Sequence, residues 1–153
     1  MAQVGAVRGV LLLDSGGISA LGEANPTARA VLVRARRDGR QVAIPSVVLA
    51  EIVTGRAADA NINRVIKAVD EEIELTPERA RQAGVLRARA WDLRRASPKR
   101  DKDDRPPSAV DAVVMAEAVA AGAAVILTSD RGEMELLRDA AGLTPAEVQI
   151  VSV

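Results

Sequence analysis

Short apolar runs closed by turn residues alternate along this chain with longer stretches in which apolar positions recur every three or four residues. Residues 8 to 14, Arg-Gly-Val-Leu-Leu-Leu-Asp, predict a buried strand that enters a turn at Ser15-Gly16-Gly17. Thr27 to Arg37 has helical spacing and stops at Asp38-Gly39; Gln41 to Ile44 then predicts a second strand, ended by Pro45. Ser46 is expected to cap a helix that runs to Thr54 and stops at Gly55. A further helix is expected over Asn61 to Val69 and a weak strand over Ile73 to Leu75. Thr76-Pro77, a cap followed by proline at the first helical position, opens a long arginine-rich helix to about Arg95. Ser97 to Pro107 is crowded with charge and proline and predicts a mobile loop. Beyond it come a helix over Val110 to Ala121 capped by Ser108, a strand over Ala124 to Leu127 and a turn at Thr128-Ser129-Asp130. A helix over Glu133 to Ala140 and a strand over Val148 to Val151 complete the pattern.

Strands that alternate with helices, and that are apolar at successive positions rather than every second one, belong to a parallel sheet covered on both sides. The expected fold is α/β: a three-layer α/β/α sandwich with a mainly parallel central sheet, and 153 residues make one domain, 1–153. In such folds the functional crevice lies at the carboxyl ends of the strands.

Composition narrows the chemistry. No cysteine means no disulfide framework, thiolate nucleophile or thiolate zinc site, and a reducing compartment fits. No histidine means no Ser-His-Asp triad, imidazole acid–base pair or H-E-x-x-H zinc site. Trp91 is the only aromatic residue, so the stacking platforms of common single-strand binders cannot be built. Basic and acidic residues balance at 21 each, which disfavours a globally basic nucleic-acid binder. No apolar run approaches the roughly 20 residues of a membrane span, and the expected address is the cytoplasm.

Catalysis must therefore rest on carboxylates, hydroxyls, amines or a bound metal. Asp14 and Asp130 each stand where an apolar strand gives way to a turn, so a parallel sheet places both at one edge. Asp111 falls in the first turn of a helix, and Glu51 in a largely apolar one. Taken singly, Asp14 and Asp130 read equally well as turn or cap residues, and Asp111 as a complement to a helix dipole. Together the four acids would repel one another in a buried cluster, a cost that divalent cations remove, and oxygen-only ligation fits Mg²⁺ or Mn²⁺. Asp111 and Glu117 are six residues apart and off a common helix face, which leaves Glu117 outside this cluster and expected in solvent.

The segments LLLDSGGISAL, IPSVVLAEIVTGR, SAVDAVVMAEAVAAG and VILTSDRGEMELL, in this order and spacing, resemble the four acidic motifs of the PIN domain, especially of VapC-type ribonuclease toxins. The resemblance spans nearly the whole chain. It implies that Asp14, Glu51, Asp111 and Asp130 bind one or two Mg²⁺ or Mn²⁺ ions, with the Ser15 and Thr128 hydroxyls in support. It also implies cleavage of single-stranded RNA, a VapB-type antitoxin partner and a possible homodimer. The antitoxin is expected across apolar helix surface after the second strand, Asn61 to Val69 included. Gly16 stands where many relatives have a polar residue, and Met134 where an aromatic one is common.

Between Arg81 and Arg105 nine bases face four acids, a local excess that could track phosphates through Arg94, Arg95, Lys99 and Arg100; the alternative is a solvated face with internal ion pairs. Trp91 is expected to pack inward or against another subunit rather than stack a base. Other α/β readings lack their residues: a receiver domain needs a late lysine and none follows Lys102, a haloacid-dehalogenase phosphatase needs D-x-D, and a dinucleotide site needs G-x-G-x-x-G. The reading from a different class is a PIN-like RNA-binding or assembly module with metal affinity and little nuclease activity.

Overall fold

The structure, a computed structural model, describes residues 9–97 and 105–153. Its centre is a sheet of five parallel strands in the order β3-β2-β1-β4-β5, formed by β1 (Val10–Leu13), β2 (Gln41–Pro45), β3 (Glu71–Ile73), β4 (Ala124–Thr128) and β5 (Val148–Ser152). Leu11, Leu12 and Leu13 are wholly buried, as are Ile126 and Leu127 beside them, because the central strands are covered on both faces. This is the expected three-layer α/β/α sandwich, with the sheet parallel throughout.

The chain winds outward from β1 to β2 and β3, crosses back, and continues on the other side through β4 and β5. Helices α1 (Ser15–Gly22), α2 (Pro26–Arg37) and α4 (Ala60–Ala68) cover one face. On the other, α6 (Ala109–Ala121) and α7 (Arg131–Ala140) lie on the sheet and α5 (Pro77–Ala96) packs across them. The short α3 (Ser46–Ile52) touches both α1 and α6, and one turn of 3-10 helix, Ala57–Asp59, precedes α4. Strand order reverses between β1 and β4, so the crevice of this fold opens at the carboxyl ends of those two strands.

Several local readings change. Ser15-Gly16-Gly17 is the first turn of α1 rather than a turn between elements, and Asp14 caps it by accepting from the Gly17 N–H at 2.8 Å. Two glycines in a helix are costly, but a Cβ on Gly17 would stand 2.5 Å from the Leu127 carbonyl oxygen, and one on Gly16 would overlap Ser129 and lie 2.8 Å from its backbone nitrogen. The pair lets α1 start directly against the end of β4. Ser46 makes no cap: Pro45 holds that position with no side-chain hydrogen bond. The weak strand lies two residues earlier than expected, at Glu71–Ile73, where its glutamates sit on the exposed outer edge of the sheet. Thr76 and Ser108 do cap α5 and α6, accepting from the Arg79 and Asp111 N–H groups at 3.1 and 3.4 Å. The predicted loop falls partly within residues 98–104, outside the described residues, as do Lys99 and Arg100.

Candidate acidic site at the sheet edge

Asp14 follows β1 and Thr128 ends β4, the two strands that flank the reversal of strand order. The Thr128 hydroxyl donates to Asp14 Oδ2, and its oxygen accepts from the Asp130 N–H at 2.9 Å. One buried side chain therefore ties the first acid to the backbone of the last. Asp130 caps α7, its Oδ1 accepting from the Glu133 N–H at 3.2 Å. Asp14 and Asp130 are thus real helix caps, the bland reading of each, and they still stand beside each other at the crevice.

Asp14 is only 4% exposed, and burial pushes its carboxyl above the ordinary 3.8; the Asp130 charge adds to this, while hydrogen bonds from Thr128, Gly17 and Gly16 oppose it. Asp111, half-buried in the first turn of α6, is pushed up to about 7. Burial is the largest cause, followed by the charges of Asp14, Glu51, Asp130 and Glu133. Asp111 thus feels the charge of each of the other three expected acids and of Glu133.

Glu51 differs from the expectation in one respect. Its neighbours in sequence are apolar, yet its own side chain is exposed, on a shelf of about 520 Å³ that also presents Ser15, Gly16 and Ser129. Asp111, Asp130 and Glu133 instead line a second cleft, of about 690 Å³, with Arg94, Arg105 and Ser108. Glu117 stays out of the cluster as expected, but it is buried and paired with Arg79 at 3.1 Å rather than solvated. Burial still holds its carboxyl above the ordinary value, against the opposing charge of Arg79.

Glu133 was not legible as a site residue; the only hint is its position three residues after Asp130. Its carboxylate accepts from Arg94 at 2.5 Å, so this member of the basic patch reaches the cleft already engaged. Arg95 pairs with Asp92 at 2.8 Å and lies 5.1 Å over the ring of half-buried Trp91. Met134 is wholly buried in the core.

The donors are all oxygen, the ligand type that Mg²⁺ and Mn²⁺ take. Among the described residues no three acids are arranged to hold an ion as they stand, so binding would have to draw them together. No protein-family model matches the chain, and a search of curated proteins returns no match. No helix among the described residues is long and apolar enough to cross a membrane.

Proposed function

We propose that this protein is a metal-dependent endoribonuclease that hydrolyses phosphodiester bonds of single-stranded RNA, the toxin half of a toxin–antitoxin pair. The observation that carries the reading is Asp111: an aspartate held near neutrality by burial and by other acids, at the topological reversal of a parallel sheet. Asp14, Glu51, Asp111 and Asp130 would hold one or two Mg²⁺ or Mn²⁺ ions. When bound, such a cation supplies charge that orients a phosphate, acidifies a water and stabilises a leaving oxyanion. The chain's own part is to keep Asp14 in one orientation through Thr128 and the Gly17 N–H, and to hold Asp111 among other acids, where a bound cation would draw it to its charged form.

A partner also has a candidate place. Leu21, Leu32, Val65 and Val69 floor a groove of about 430 Å³ between α1, α2 and α4, rimmed by Arg29, Arg36 and Arg64. Its apolar floor and basic rim suit an antitoxin segment that alternates apolar and acidic side chains. If a cognate antitoxin binds Val65→Glu as tightly as wild type, the groove is not its site.

The deciding experiment is cleavage of a mixed single-stranded RNA with Mg²⁺, Mn²⁺ or EDTA, running Asp14→Asn purified identically beside wild type. Cleavage by wild type alone, and only with metal, is the expected result. If neither protein cuts while Mn²⁺ still raises the melting temperature of wild type more than that of the mutant, the nuclease reading gives way to an RNA-binding or assembly module.

A further inference from the structure

The guanidinium of Arg94 is shared between two segments that line the cleft. Its Nη1 donates to the Arg105 carbonyl at 2.6 Å and its Nη2 to Glu133 Oε2 at 2.5 Å. Two turns earlier on the same side of α5, Arg87 Nε donates to the Pro107 carbonyl at 2.6 Å. The chain is thus gripped at residues 105 and 107, immediately before Ser108 caps α6 by accepting from the Asp111 N–H. On the other side, Glu133 is bound to Asp130 through its backbone N–H and to Arg94 through its carboxylate.

We infer that Arg94 is a positioning residue that couples α6 to α7, and so keeps Asp111 and Asp130 at a fixed spacing across the cleft. Glu133 adds negative charge to a wall already bearing Asp111 and Asp130, and like charges in a half-buried cleft push their helices apart. Arg94 offsets that charge from within the wall, with 27% of its side chain exposed and 16% of Glu133's. The planar fork suits the task because it reaches a carbonyl on one segment and a carboxylate on the other. A lysine, a point of charge on a flexible stem, lacks this fixed fork. Arg94 then acts on the acids through their helices and need not touch RNA.

The test is amide hydrogen exchange on the metal-free protein, followed at the first helical hydrogen bonds of the two helices. These are Ala112 N–H to Ser108 O at 3.0 Å and Met134 N–H to Asp130 O at 3.2 Å. Arg94→Ala is expected to speed exchange at both Ala112 and Met134 by about tenfold, with Leu12 and Ile126 in the central strands unchanged. Glu133→Ala, which cuts only the tie to α7, is expected to speed Met134 alone. If Arg94→Ala leaves either helix start at its wild-type rate, the coupling is wrong.

A second arm rests on the metal-site reading: Mn²⁺ affinity, followed by electron paramagnetic resonance, should fall about tenfold in Arg94→Ala and recover partly in Arg94→Lys. If wild type takes up no Mn²⁺, the metal reading falls and the exchange arm still decides the coupling. If Arg94→Ala raises KM for RNA while kcat, exchange and Mn²⁺ affinity stay put, Arg94 is a phosphate contact and the inference is overturned.

Discussion

Replacing Asp111 by asparagine should stabilise the metal-free protein, and the gain should depend on pH in a way that follows from the sign of its shift. A carboxyl whose folded pKa lies above the ordinary 3.8 binds its proton more tightly in the native state. Wild type therefore suffers no penalty below about pH 4, loses stability as pH rises towards 7, and keeps the full deficit above 7. The rise from 3.8 to about 7, at about 1.36 kcal/mol per pH unit, sets a ceiling of about 4 kcal/mol. Since Asp111 is only half-buried, solvent screening should reduce this to about 2 kcal/mol. Urea unfolding of wild type and Asp111→Asn in EDTA, at half-unit steps from pH 4 to 8.5, measures the difference directly. It should open with pH and level off above 7. Saturating Mn²⁺ should then reverse the order, because the cation stabilises only the protein that retains the carboxylate. A difference that is flat across this pH range would refute the account of Asp111 as an acid strained by burial and by its neighbours.

Two further predictions concern the junction of β1, α1 and β4. Gly16→Ala, with its added carbon against Ser129, should cost about 1–3 kcal/mol by urea titration, and an unchanged midpoint would mean that α1 is not fixed against β4. Thr128→Val removes the hydroxyl shared by Asp14 and the Asp130 N–H and should also cost about 1–3 kcal/mol. The loss should be larger at pH 8 than at pH 4, because Asp14 then ionises without a hydrogen bond that favours its charged form.

The central strands were legible because burial on both faces leaves an unbroken apolar signature at Leu11–Leu13 and Ala124–Leu127. The common edge of Asp14 and Asp130 followed from the strands being parallel. The start of α1 was hidden because an aspartate, a serine and two glycines carry the same local signals as a turn. What makes them helical is the fit against Leu127 and Ser129, more than a hundred residues away. Glu51 misled in the opposite sense: apolar neighbours in sequence suggested burial, but a helix of under two turns between α1 and α6 leaves this side chain at the rim. Long-range ion pairs escaped for the same reason. Nothing near Arg94 or Glu117 in sequence announces Glu133 or Arg79, which lie 39 and 38 positions away.

The bond between Asp14 and Thr128 joins residues 114 positions apart, and that separation imposes an order of assembly. β1 can pair with β2 early, across about thirty residues, but its other edge has no partner until the chain has passed β4. Closing so long a loop is slow, and topologies dominated by such contacts fold late in their decisive step. A nascent or truncated chain that stops short of residue 124 therefore presents a bare apolar edge on β1 and lacks Thr128, Asp130 and Glu133. Whatever chemistry the crevice performs is withheld until β4 has been made.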